Sequence, residues 1–324
     1  MIAILLIAMA AGAASALMFA SIASGALISL ALLYLAPLPL MVAALGWGPL
    51  SAGIGGIAAA SFLGIIFDLP HGVDFLIMVA LPAWWLGYLG LLGRPIAPAV
   101  PTGNGAAPIA PDLEWYPVGR ILLWIAALAA LATIAALLTL GTDTASITAA
   151  MRSRWLRLLE LGEVSPTAET DQLIDALVVL APNAAAIWAV TTLTFNLWLA
   201  ARITATSGRL HRPRPDLKRV ELPPLTLAAL CVAIAFCFGG GLLAMLAQIV
   251  TMTLMMAYAL TGFAVLHTLT LASKSRALWL GCTYAIVLVF VWPILLMAIL
   301  GLADAAFGWR RRYRNSRPPP LPAS

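Results

Sequence analysis

Asp68, His71 and Asp74 stand three residues apart in the stretch Asp68-Leu-Pro-His71-Gly-Val-Asp74, and they form the acid–imidazole cluster of the first half of the chain. Two carboxylates and an imidazole at that spacing suit cation ligation or a general acid–base pair. Pro70 and Gly72 lie between them, and both oppose continuation of a helix. The expected setting is therefore a loop at the end of an apolar helix. The plainer reading is a polar turn solvated by headgroups and water; ligand recognition, ion coupling and catalysis are the chemical alternatives.

A second group lies inside long apolar runs. Asn183, Asn196, Gln248 and His267 carry polar groups to a depth where each must find a partner. Hydrogen bonds between helices would satisfy them. The alternative is a polar lining for a small-molecule cavity, to which Asn183, Gln248 and Tyr258 would contribute. His267 stands near the end of its run, where its ring can reach the interface. Thr251, Met252, Thr253, Met255 and Met256 surround Gln248 and Tyr258, and read as packing. Asp304 precedes the arginine run at 310–312, so it is expected to pair with Arg310 or Arg311, or to cap a turn.

No phosphate-binding glycine loop, dinucleotide fingerprint, Gly-x-Ser-x-Gly or His-Glu-x-x-His occurs. Cys231, Cys237 and Cys282 have no paired spacing and lie in apolar runs, so they read as small core residues. The expectation is a protein without a catalytic residue, metal site or cofactor, and not an enzyme.

The elements that must position these groups are membrane helices. Hydrophobic residues make up 63% of the chain, charged residues only 10%, and the mean hydropathy is +1.01. Soluble domains are nearer one-quarter charged. Spans of about 20 residues can be drawn at 2–20, 22–46, 49–67, 74–92, 118–140, 172–201, 223–240, 243–271 and 278–303, giving an all-α polytopic bundle of eight or nine crossings. Pro37 and Pro39 should kink the second. Trp84, Trp85 and Tyr88 suit a headgroup-level belt, and Gly239-Gly240-Gly241 should form a turn. Residues 148–164 carry Met151, Trp155, Leu158 and Leu159 on one face, with Arg152, Arg154 and Arg157 largely off it. That pattern suits an interfacial helix or a solvated loop helix.

The organising feature is a run of small residues. Gly48, Ala52, Gly56, Ala60 and Gly64 recur every four positions, beside Ser51, Gly55 and Ala59. On a helix these make a nearly smooth stripe, which lets another helix approach closely in lipid. Ala8, Gly12, Ala16 and Ala20, with Ala10 and Ala14 alongside, make a second such stripe on the first span. The domain division that follows is a membrane domain over 1–308, comprising helices 1–92, a Pro- and Gly-rich linker 93–117 and helices 118–308. A basic, Pro-rich, disordered tail covers 309–324.

The net charge of +5 lies in loops and tail, so it bears on topology and lipid contact rather than nucleic-acid binding. The basic loop 202–222 should be cytoplasmic. Three spans between it and the tail would set these two basic regions on opposite sides, so the parity stays open.

The chain resembles the YybS-like bacterial membrane family (domain of unknown function 2232). Gly48-Pro49 opens a glycine-rich helix, Ala181-Pro182 precedes Asn196 and Arg202, Leu222-Pro223 opens a span, and Gly301-Leu-Ala-Asp304 precedes the basic tail. The first half is also similar to the substrate-binding S components of energy-coupling factor transporters. There a Gly-Pro starts a glycine-rich helix, and Ala-x-x-x-Ala motifs dock the coupling subunit; Ala10 and Ala14 match one such motif. Spans beyond the usual six depart from that pattern. The resemblance implies a transport-related protein of the bacterial inner membrane that binds a small solute without an ATPase of its own. Its expected partners are membrane lipid and a membrane protein docked on the small-residue faces. The alternative is a structural or assembly scaffold of the cell envelope.

Overall fold

A computed structural model describes residues 2–95, 113–161, 167–213, 220–290, 292–310 and 312. The described residues are helical nearly throughout. Among the described residues, seven stretches are long and apolar enough to cross a membrane: Ile2–Ser24, Leu27–Trp47, Pro49–Ile66, Leu69–Leu91, Val118–Leu138, Ala168–Thr206 and Gly241–Leu269. Three shorter apolar helices, Leu225–Cys237, Arg276–Val289 and Ile294–Phe307, are not long enough. The protein is a multi-pass membrane protein of the all-α class; seven helices among the described residues are long and apolar enough to cross, beside the eight or nine spans drawn from the sequence.

The helices are α1 (Ile2–Ala20), α2 (Leu27–Leu35), α3 (Pro37–Trp47), α4 (Pro49–Ile66), α5 (Leu69–Phe75) and α6 (Leu81–Leu91). After them come α7 (Val118–Leu138), α8 (Thr144–Leu161), α9 (Ala168–Thr206), α10 (Leu225–Cys237), α11 (Gly241–Leu269), α12 (Arg276–Val289) and α13 (Ile294–Phe307). Contacts divide the chain into two units. Unit 1 is Met1–Ile125 with Thr192–Pro215, and unit 2 is Ala126–Thr191 with Asp216–Ser324.

In unit 1, Ala36 separates α2 from α3, and Pro37 takes the first position of α3, where its missing N–H costs nothing. Gly48 turns the chain at φ 96°, a conformation that favours glycine, and Pro49 opens α4. Pro70 and Gly72 do not make a loop. Pro70 occupies the first turn of α5, and α5 runs through a π-helical stretch at Leu76–Ala80 into α6. Pro82 follows that stretch, whose wider turn gives room for the proline ring. The fourth span thus begins at Leu69 rather than at 74.

α4 exposes most of its large side chains, Leu63 excepted, and buries most of its small ones. Leu50, Ile57 and Ile65 are 75%, 63% and 84% exposed, whereas Ser51, Ala52, Gly55 and Gly56 are buried. In water that arrangement would be upside down; in acyl chains it is the favourable one. The row Ser51, Gly55, Ala59 meets α1, where Gly12 lies on the Gly55 backbone and Gly55 on the Ala8 carbonyl. The row Ala52, Gly56, Ala60 meets the next span, with Gly56 on Ala80 and Gly72 on the Ala60 carbonyl and Gly64. Gly48 is outside both rows, being the turn itself.

The ends of the 93–117 segment form a ladder. Gly93–Pro95 (β1) pairs antiparallel with Leu113–Trp115 (β2), placing Arg94 opposite Glu114. The rest of the expected linker, 96–112, lies outside the described residues.

In unit 2, Ala130, Leu137, Ile147, Ala186 and Ile249 form one apolar cluster from α7, α8, α9 and α11. α8 starts at Thr144, and its Arg152 reaches Asp171, at 2.8 Å, and Asp175 on α9. The last predicted span, 278–303, is two 14-residue helices, α12 and α13, flanking Pro293. Cys231 and Cys282 are exposed and Cys237 half-buried, so the core role expected of all three does not hold. Part of the supposed tail is ordered, since Arg310 is 3% exposed; residues 311 and 313–324 lie outside the described residues.

Candidate functional site

The six polar residues singled out above divide between the two units. Asp68, His71 and Asp74 belong to unit 1; Asn183, Gln248 and Tyr258 belong to unit 2.

Asp68 is the N-cap of α5. Its carboxylate accepts from the His71 backbone N–H at 2.9 Å, and the His71 ring Nδ1 lies 2.6 Å from the same oxygen. These contacts hold the Asp68 carboxyl below its ordinary range, the backbone N–H contributing most. Asp68 and His71 are exposed, and Asp74 is half-buried one turn further along. Both contacts use Oδ1, and together they complete a helix start. Among the described residues, no group of three or more acid, His or Cys side chains could hold a metal ion.

Asn183 is half-buried, and its Oδ1 is inaccessible without a hydrogen-bond partner among the described residues. Ala186, one turn away, and Ile249, next to Gln248, both belong to the apolar cluster of unit 2. Tyr258 is 1% exposed, and its carbonyl lies against Gly301 of α13. Asn196 ties two elements together: its Nδ2 donates to the Tyr34 carbonyl and to that of Thr192, both at 2.8 Å. The His267 Nε2 lies 2.8 Å from the Tyr284 hydroxyl.

Asp304 does pair with Arg310. The Arg310 Nε donates to Oδ2 at 2.7 Å, its backbone N–H donates to Oδ1 at 2.8 Å, and its Nη1 donates to the Val220 carbonyl at 2.8 Å. The last contact sets Arg310 beside Val220 within unit 2.

Sequence reasoning passed over the end of unit 1 where α3, α6 and α9 finish and α7 begins. Arg212 donates to the Tyr116 carbonyl at 2.9 Å and the Gly90 carbonyl at 3.3 Å, and its guanidinium sits 6.0 Å from the Trp115 ring. Burial pushes that guanidinium below its ordinary value. Around it, Arg120 lies over Tyr116, Arg202 over Trp198 and Arg209 over Trp47, the last at 5.0 Å. Arg120, Arg202 and Arg209 are exposed. The 18 residues of α4 separate this basic, aromatic end from Asp68 and His71. The available signal was the basic loop itself together with Trp47 at a span end.

Next to that end is a groove of about 390 Å³ in unit 1, lined by apolar side chains that include Ile7, Ala10, Leu38, Val42, Trp47 and Ile203. None of the six predicted ligand-binding residues lines it. Of the α1 stripe, Ala8, Gly12 and Ala16 are buried, whereas Ala14 is half-buried and Ala10 is exposed at the groove wall. No protein-family model matches the chain, and no curated protein or solved structure does either.

Proposed function

We propose that this multi-pass protein is a non-catalytic structural or assembly protein of the bacterial inner membrane, working through its helix surfaces. The observation that carries this is the close backbone packing of the helices of unit 1. A single added Cβ at Gly12, Gly55 or Gly87 would collide with Gly55, Ala8 or Ala44 respectively. Helices held this closely leave no room for a solute between α1, α4 and the span beyond. By the positive-inside rule, the end bearing Arg120, Arg202, Arg209 and Arg212 is cytoplasmic.

The competing reading is a transport-related, S-component-like solute binder of YybS-like kinship. It is favoured by the inaccessible Oδ1 of Asn183, which has no hydrogen-bond partner among the described residues and which a ligand could satisfy. Thermal unfolding of the purified protein against a panel of vitamins and metabolites separates the two. A scaffold is stabilised by none. A solute that raises the Tm of the wild type but not of Asn183→Leu would replace the scaffold reading with the transport one.

A further inference from the structure

The groove beside the basic end of unit 1 has two chemically distinct parts. Its walls are apolar throughout: Ile7 and Ala10 from α1, Leu38, Val42 and Trp47 from α3, and Ile203 from α9. Ala10 supplies only a methyl group, which opens the space. From Trp47 to Leu38 the groove follows α3 for about 14 Å, running from the end of the helix into its span. Its volume, about 390 Å³, lies within the range of small-molecule sites, roughly 300–1,000 Å³. Yet no hydrogen-bonding side chain other than the indole N–H of Trp47 is available to orient a polar solute there.

The mouth is different. The Arg209 guanidinium lies over the Trp47 ring, 5.0 Å from its centre, and the side chain is exposed. Among the described residues no carboxylate is within ion-pair distance of it. Tryptophan at a span end is the usual headgroup-level anchor, and a guanidinium is suited to a phosphate by charge and by its fork of donors.

An apolar channel that enters the span from the interface, with an exposed cation at its outer end, matches one kind of molecule along its whole length. We infer that the groove holds an acyl chain of an anionic phospholipid whose phosphate is bound by Arg209. The Trp47 ring forms the boundary between chain and headgroup, and the guanidinium stacked on it is held ready at that depth. Neither part alone would select the ligand: the walls accept any acyl chain, and the cation any phosphate.

The test uses the full-length protein in detergent, titrated with phosphatidylglycerol or with phosphatidylcholine of identical chains and read by native mass spectrometry. The wild type is expected to bind phosphatidylglycerol on the order of fivefold more tightly, the scale of one juxtamembrane arginine. Arg209→Gln should reduce that ratio to near one. Arg120→Gln, which removes a charge from the same end but not from the groove mouth, should keep it. Ala10→Phe, at an exposed position, should weaken both lipids alike. Equal binding of the two lipids by the wild type, or an unchanged ratio in Arg209→Gln, would overturn the inference. So would displacement of phosphatidylglycerol by inorganic phosphate, which would make the site one for the free ion. A change of oligomeric state in Ala10→Phe without a change in lipid binding would also overturn it, making the groove a contact between copies.

Discussion

In unit 1, α4 is pressed against α1 on one side and the following span on the other, and glycine and alanine make the backbone-to-backbone approaches there. In unit 2, α13 is pressed against α11 at two glycines: Gly262 on the Met297 carbonyl and Gly301 on the Tyr258 carbonyl. The local geometry is the same, a Cα seated on a carbonyl oxygen, where dispersion and weak Cα–H contacts act. The surroundings differ. α4 has 18 residues and two smooth faces, whereas α13 has 14 residues and ends in a buried ion pair anchored to Val220. A long seam is held by many small contacts. A short one needs a latch.

The latch gives the largest expected effect. The Asp304 and Arg310 side chains are only 5% and 4% exposed. Removing one partner of such a buried pair costs about 3–5 kcal/mol. Asp304→Ala should therefore lower the unfolding midpoint more than any single glycine or helix-cap replacement. The double replacement Asp304→Leu with Arg310→Met should recover much of that loss, because both charges of the pair leave together. If Asp304→Ala left the midpoint unmoved, the contrast between latched and unlatched seams would disappear.

The glycines come next. Alanine at Gly262, Gly301, Gly12 or Gly55 puts a methyl group onto a neighbouring backbone oxygen, and overpacking of that kind costs typically about 1–3 kcal/mol. Gly281, in α12, has nothing within 4 Å of an added Cβ. Gly281→Ala should then be neutral or slightly stabilising, since alanine is the better helix former by up to about 1 kcal/mol. Thermal unfolding of the five single variants sharpens the comparison: the longer seam of unit 1 should tolerate one methyl better than the shorter seam of unit 2. A smaller loss, about 0.6–1.7 kcal/mol, is expected for Asn196→Leu, which removes the bond to the Tyr34 carbonyl.

These two seams also differ in how far the sequence reveals them. Five small residues at a four-residue period announce the faces of α4, because a helix turns the period directly into a stripe. Gly262 and Gly301 lie in different helices with no run around either, so their pairing is a tertiary fact that no local pattern carries. Membrane class is legible from composition alone. Span number is less so, because hydropathy does not register that Pro293 separates α12 from α13, or that α10 stops at Cys237. Pro70 and Gly72 mislead for a related reason. Propensity learned in water makes them breakers, but the first turn of a helix accepts proline, and Gly72 is required where Ala60 and Gly64 press on it. The pairing of Asp304 with Arg310 was readable because the two lie six residues apart. The Arg209–Trp47 stack was not, since its members come from segments far apart in sequence.

The smallest effect concerns two exposed helix caps, one in each unit. Asp68 receives the His71 N–H at the start of α5, and Asp143 receives the Ser146 N–H at 2.9 Å and the Ser146 hydroxyl at 2.7 Å before α8. Both carboxyls are held below the ordinary value of 3.8, in each case first by the backbone N–H. A lowered folded-state pKa means that the folded form binds its proton less readily than the unfolded chain. The stabilisation is therefore complete above the unfolded pKa of about 3.9 and is lost as pH falls through the folded value. Asp68→Asn retains an acceptor for the cap but cannot titrate, so it should flatten the acid limb of the melting profile and leave the neutral-pH midpoint almost unchanged. Asp68→Ala should lower that midpoint slightly as well, since the cap itself is gone. The Asp143 pair of variants should behave in the same way. Solvent screens both sites, so the shifts should be small, and high salt should reduce the charge-dependent part that separates aspartate from asparagine. An acid limb in Asp68→Asn as steep as in the wild type would show that the Asp68–His71 contact contributes nothing to the fold at low pH.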